Sequence, residues 1–264
     1  MPYPTAEQLG EAGLRLKVDG PILTVTLNRP DVRNAQRPAT WRSLAAIGEA
    51  LNPDVRVVVL RAEGAAFSAG LDRRMMTSEG IAGEPTFAEI AALPDDAALT
   101  QIASYQAAFT WWRRPGIVSV AAVQGAAVGA GFQLALACDL RVIADDARFA
   151  MREPALGLVP DLGGTKPLVE ILGYARALEM CVTGRWIDAD EAMASGLAIA
   201  CVRPPELDDT VYDLVAAMAV SPLEAVRATK ALLVGAARRS YDEQLAAERR
   251  AQLGRLRDLA DRLG

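Results

Sequence analysis

From Pro115 to Cys138 the chain carries no charged side chain, and Gly125, Gly129 and Gly131 cluster near the centre of that run. An uncharged stretch of this length permits a membrane-spanning helix, a nucleotide-binding turn, or a buried strand followed by a turn and a helix. The residue types separate these. The first half is β-branched (Ile117, Val118, Val120, Val123), Gln124 and Gln133 lie inside the run, and glycine interrupts it, which argues against a spanning helix even though Gly125 and Gly129 form a G-x-x-x-G pair. Gly129-Ala130-Gly131 is followed by Phe132, Gln133 and Leu134, so the third glycine of a dinucleotide fingerprint is missing. The run predicts a strand over 117–123, a glycine turn, and a buried helix over 131–137.

Composition excludes several kinds of chemistry. The 264 residues contain no histidine. Ser-His-Asp and Cys-His catalysis and histidine-built zinc sites are therefore excluded, and no metal centre is expected. Acid–base work near neutral pH falls to carboxylates, Lys, Tyr or Cys, with carboxylates the first place to look. Lys+Arg number 28 against 33 Asp+Glu, with no basic stripe, so no nucleic-acid partner is expected. Residues 1–17 lack an apolar core with basic flanks, so no secretory signal is expected; a cytoplasmic protein without a membrane segment is. Cys138, Cys181 and Cys201 are far apart in apolar surroundings and read as small hydrophobes.

Along the chain, Leu14–Val18 and Ile22–Asn28 alternate around Asp19-Gly20-Pro21, a hairpin signal. Pro30 and Pro38 argue against a helix in the following loop, and Thr40 is a candidate N-cap for a helix through Leu51. Val55–Leu60 reads as a strand buried on both faces. Residues 73–114 form a mixed segment, helical from Ala97 to Trp112, whose Met75, Met76, Trp111 and Trp112 are candidates to line or cover a pocket. A strand over 140–144, an extended piece over 149–158, helices over 163–172, 175–183 and 188–195 and a strand over 197–202 follow. The remainder is helical in three pieces, 206–220, 222–234 and 241–263. The composition shift at Pro204-Pro205 divides the chain into a core, 1–204, and a helical region, 205–264. The fold class is α/β.

Two glycine-containing loops each follow a buried strand: Ala69-Gly70-Leu71 and Gly129-Ala130-Gly131. Free backbone N–H groups there would suit an anionic oxygen, and two of them converging would form an oxyanion hole. Read alone, each loop is a structural turn sooner than an anion site.

The ordered set VAAVQGAAVGAGFQLALACD, AAFSAGLD, FAMREPALGLVPDLGGT, LNRPDVRNA and TGRWIDADEAMASGL resembles the enoyl-CoA hydratase/isomerase (crotonase) family over nearly the whole chain. The resemblance implies a spiral of strand–strand–helix turns with a helical C-terminal region that drives trimerisation, as a homotrimer or a dimer of trimers. It implies an acyl-CoA thioester substrate, with coenzyme A part of that substrate and no separate cofactor. The thioester oxygen would be held by the amides of Leu71 and Ala130, and the nucleotide end by the region of Arg33, Ala69 and Leu71. The C-terminal stripe Leu245, Leu253, Leu256, Leu259 and Leu263 would serve self-association.

Departures from the family pattern bear on the reaction. Hydratases of the family use two glutamates; the first place is Gln133 here, which cannot exchange a proton at neutral pH, and the second is Glu153. Asp161, eight residues beyond Glu153, matches the offset of a catalytic aspartate in dienoyl-CoA isomerases of the family, and is equally a candidate helix cap. These residues favour double-bond isomerisation with Glu153 as proton shuttle, with or without Asp161. Hydration with Gln133 helping to hold water, and a non-catalytic acyl-CoA-binding relative, are the alternatives.

Overall fold

The structure, a computed structural model, describes residues 2–263, apart from the side chain of Leu263. In chain order it comprises α1 (Ala6–Ala12), β1 (Leu14–Asp19), β2 (Ile22–Leu27), α2 (Pro38–Glu49), β3 (Val57–Ala62), α3 (Phe87–Ala91) and α4 (Asp95–Thr110). Then come β4 (Val118–Val123), β5 (Ala126–Val128), α5 (Ala130–Ala137), β6 (Leu140–Ala144), β7 (Arg148–Ala150), α6 (Thr165–Leu172) and α7 (Tyr174–Thr183). The chain closes with α8 (Ala189–Ala194), β8 (Ala200–Val202), α9 (Leu207–Val220), α10 (Leu223–Ala236) and α11 (Tyr241–Leu263).

The main sheet has the order β1-β2-β3-β4-β6-β8. Only the hairpin β1–β2 is antiparallel; the other pairings are parallel. Period-two alternation in the central strands divides their side chains between two cores. Val58, Leu60, Ala121, Val123 and Ile143 face the larger one, with Trp41 and Leu44 of α2 and Phe132 and Leu136 of α5. Val57, Val59, Val120, Ala122 and Val142 face the other, which Leu207, Val211 and Val215 of α9 close. Both faces are covered, which is why these strands read as unbroken apolar runs.

Helix α9, on the C-terminal side of the expected 204/205 division, thus packs on the sheet. Helix α10 is tied down by Lys230, whose Nζ lies 2.6 Å from Asp139 and donates to the Ile117 carbonyl. Helix α11 packs on α10 and leaves Leu253, Leu256 and Leu259 about half exposed. Among the described residues no helix is long and apolar enough to cross a membrane.

The structure differs from the sequence expectations in several places. Helix α2 begins at Pro38, not after Thr40: proline at the first helical position loses no hydrogen bond, and the Thr40 hydroxyl instead donates to the Ala12 carbonyl at 2.7 Å. Trp111 and Trp112 are stacked, with centroids 4.0 Å apart, and fully buried in the larger core, so they support α4 and do not cover a pocket. The glycine turn after β4 contains a further strand, β5, which pairs in parallel with β7 as a small second sheet.

Candidate active site

The two glycine turns meet on this second sheet. The chain after β3 runs alongside β5: Phe67 N donates to Gln124 O, Ser68 N to Ala126 O and Val128 N to Ser68 O, at 2.9–3.0 Å. On the other side, Gln36 N donates to Gly70 O and Asp72 N to Gln36 O, both at 2.7 Å. In a parallel bridge of this kind Leu71 points its own N–H away from the ladder, and that N–H has no acceptor among the described residues. Gly129, at φ 50° and ψ −120°, turns the chain from β5 into α5, in a conformation open to glycine. Ala130 is the first residue of α5, so its N–H is one of the donors a helix start leaves free.

A Cβ added to Gly70 would overlap the Val128 carbonyl oxygen and lie 3.5 Å from the Ala130 nitrogen. A Cβ on Gly131 would come within 2.6 Å of the Ser68 Cβ. Glycine at these positions lets the turns touch, which sets Gly70, the residue before Leu71, against the Ala130 nitrogen. The sequence could not show that contact.

Glu153 abuts the second turn: a Cβ on Gly129 would lie 3.2 Å from its Oε1. It stands after β7, at the start of a 3₁₀ turn over Pro154–Leu156, and is 8 % exposed. Gln133, one helical turn beyond Ala130 on α5, donates from Nε2 to Glu153 Oε1 at 2.6 Å. The Gln133 Oε1 in turn accepts the backbone N–H groups of Leu162 (3.0 Å) and Gly164 (3.2 Å). Glu153 Oε2 is buried with no hydrogen-bond partner among the described residues. Burial pushes the Glu153 carboxyl above the ordinary carboxylate range, against the donation from Gln133, and the charge of Asp161 adds to the rise.

Asp161 caps no helix. Gly164 occupies the N-cap position of α6, without a side-chain capping bond. The Asp161 carbonyl accepts from Gln106 of α4 at 2.6 Å, which ties its turn to that helix. Desolvation raises its carboxyl, but the residue is exposed, so solvent limits that shift. Asp161 is close enough for its charge to reach Glu153 and makes no hydrogen bond to it.

Beside the first turn lies an open cleft of about 570 Å³, lined by Arg29, Arg33, Ala69, Leu71, Arg73 and Arg74 among others. Of the expected nucleotide-end residues, Arg33, Ala69 and Leu71 are all in it; Arg29, Arg73 and Arg74 were not anticipated. Their signal was the clustering of arginine on both flanks of the two loops. Asp72 binds Arg74 at 2.7 Å and lies 3.5 Å from Arg29, and its carboxyl is held below the usual range chiefly by Arg74. Arg33 and Asn34 both adopt positive φ, 51° and 54°. Asn34 pins that turn, accepting from Arg29 N at 2.8 Å and donating to the carbonyls of Glu63 and Ala66. Among the described residues no group of three metal-ligating side chains occurs.

Known proteins share this architecture. The sequence model of the enoyl-CoA hydratase/isomerase family matches residues 17–256. Carnitinyl-CoA dehydratase of Salmonella arizonae is 37% identical, over 82% of this chain and 78% of its own. A candidate enoyl-CoA hydratase from Thermobifida fusca YX, crystallised with CoA, is 51% identical with a TM-score of 0.93, covering 98% of both chains. Its complex with acetoacetyl-CoA is 50% identical at TM-score 0.93, covering 97% of this chain and 99% of that one.

Proposed function

Because the chain belongs to the enoyl-CoA hydratase/isomerase family, we propose that it acts on an acyl-CoA thioester, isomerising a double bond with Glu153 as the proton carrier. The observation that carries this reading is the buried carboxylate of Glu153, whose Oε2 has no partner among the described residues, beside two touching turns. In this reading Glu153 Oε2 takes a proton from C2 of a 3-enoyl thioester. The electron pair moves onto the thioester oxygen, where the Leu71 and Ala130 amides would stabilise the negative charge as it develops. The resulting carboxylic acid returns the proton at C4, the double bond comes to lie between C2 and C3, and the carboxylate is restored. Participation of Asp161 would extend the transfer over a longer conjugated system. The arginine-lined cleft supports placement of the phosphates of coenzyme A.

A second reading is hydration or its reverse, favoured by the dehydratase name of the Salmonella relative. With one proton carrier, Glu153 would take the C2 proton of a 3-hydroxyacyl thioester and deliver it to the departing hydroxyl. Following thioester absorbance with 3-enoyl, 3,5-dienoyl, 2-enoyl and 3-hydroxyacyl substrates separates the readings. Fast turnover of a 3-enoyl or 3,5-dienoyl thioester supports isomerisation. Fast hydration of the 2-enoyl thioester, untouched by Glu153→Gln, would sink it, and binding without turnover across the panel would indicate a non-catalytic acyl-CoA binder.

Exposed Leu253, Leu256 and Leu259 on α11 and Leu233 on α10 support self-association, read here as a homotrimer or a dimer of trimers.

A further inference from the structure

Gln133 is buried at 1 % exposure, and each end of its amide is committed. Two backbone N–H groups, from Leu162 and Gly164, converge on one terminal atom, which must therefore be the oxygen; the other is the NH₂ and can only donate. The NH₂ faces Glu153 Oε1 at 2.6 Å. The amide is thus not free to hold a water molecule through its oxygen. A Cβ on Gly164 would come within 2.7 Å of Gln133 Cγ, so the turn also fixes the side chain sterically.

From this geometry we propose that Gln133 is a positioning residue. Clamped by the 162–164 turn, it holds Oε1 of Glu153 and leaves Oε2 as the one oxygen that exchanges a proton with substrate. Gln133 touches no reacting atom in this arrangement and acts through Glu153. The inference rests on the reading of Glu153 as the proton carrier.

The residue at 133 then sets the proton state in which Glu153 rests. A donated hydrogen bond favours the carboxylate. A glutamate at 133 would keep the two N–H donors of the turn, which stabilise its own charge, and would present an anion to Glu153 where an N–H now stands. Glu153 would be driven toward the protonated form. The titratable groups coupled to Glu153 are Asp161, eight residues further on, whose charge raises it, and Cys181 on α7, whose thiol is itself raised by the Glu153 charge.

The test is the titration of Glu153 itself, followed by carbon-13 NMR of side-chain carboxyls in the full chain, with the Glu153 signal identified by its loss in Glu153→Gln. No substrate is needed, so the outcome is independent of which thioester reaction the protein performs. Gln133→Glu should raise the midpoint by more than about one pH unit, and Gln133→Leu should raise it by a smaller amount. Exchange of the C2 protons of butyryl-CoA in deuterium oxide should show its acid limb moving upward with the midpoint. A midpoint unmoved in Gln133→Glu overturns the proposal, including the case in which melting temperature falls and the midpoint stays, which marks a purely structural role. Should Gln133→Leu fail to fold, Gln133→Glu, with its unchanged size and retained acceptor for both N–H groups, decides alone. Absence of exchange in the unmodified protein together with a shifted midpoint would instead overturn the proton-carrier reading on which the proposal rests, leaving only the control of Glu153 protonation by residue 133.

Discussion

Gly70 packs so closely on Val128 that a methyl group added to it would overlap the Val128 carbonyl oxygen and lie 3.2 Å from the carbonyl carbon. Gly70 also has φ +83°, a backbone region that L side chains rarely adopt. Gly70→Ala should therefore push the Leu71 amide away from the Ala130 amide. Loss of one oxyanion donor costs about 10²–10³ in kcat, and the strained backbone adds about 1–3 kcal/mol of destabilisation. Steady-state kinetics with thermal unfolding checks both. An active, fully stable Gly70→Ala variant would show that this contact does not shape the site.

Glu153→Gln should abolish turnover and leave stability at neutral pH undiminished. Burial raises the Glu153 carboxyl, so the folded chain binds that proton more readily than the unfolded chain. Stability then falls as pH rises from the unfolded value through the raised folded value, and above it the buried charge is a net cost. Glutamine removes that cost and can still accept from Gln133. Its NH₂ replaces the unpartnered Oε2 without a partner of its own, so the gain is that of the removed charge alone, and the melting temperature should rise at pH 7. The gain should vanish on acidification below the ordinary carboxylate range. Calorimetry at several pH values tests the sign.

Arg33→Ala should raise KM for a CoA thioester by about tenfold, the worth of one charge-assisted contact. Its effect on kcat should be small. The same acyl group carried on pantetheine, which lacks the nucleotide, should be handled equally by both proteins. A matched loss on the two substrates would remove Arg33 from the nucleotide end.

Lys230 and Asp139 form a largely buried pair, with side chains 10% and 17% exposed. Lys230→Met would leave Asp139 with Ser119 N (2.8 Å) and Ser119 Oγ (3.1 Å) only. Breaking such a pair costs about 3–5 kcal/mol. The double variant Lys230→Met/Asp139→Asn should recover much of that loss. Urea unfolding of the three variants provides the comparison.

How legible all this was in the sequence depended on the range of the interaction. The hairpin and the central strands were visible because alternation and unbroken apolar runs are local signatures. Strands β5 and β7 were not: each is three residues long, and each is defined by its partner across 22 positions (Ala126 opposite Arg148), which no local pattern encodes. The cap at Asp188 was legible because its carboxylate reaches Glu191 N only three residues away. Thr40 and Asp161 had the right residue type for caps, but tertiary contacts placed Thr40 on Ala12 and left α6 to begin without a side-chain cap.

At the candidate site, the two glycine loops were visible from residue type, whereas the choice of Glu153 and of the Leu71 and Ala130 amides came only through family resemblance. By residue type alone Glu153 is an unremarked glutamate. That Gln133 spends its amide on Glu153, Leu162 and Gly164 could not be read, because the bond depends on where a helix and a distant turn come to rest.

The burial of Glu153 has a use at the scale of the whole molecule. With no histidine, the chain has no side chain whose ordinary pKa lies between about 5 and 8. Glu153 is lifted toward the interval by its surroundings, with Asp161 as the lesser companion. A ligand that displaces or captures the Glu153 proton would therefore act on a carboxyl raised in a range where no histidine contributes.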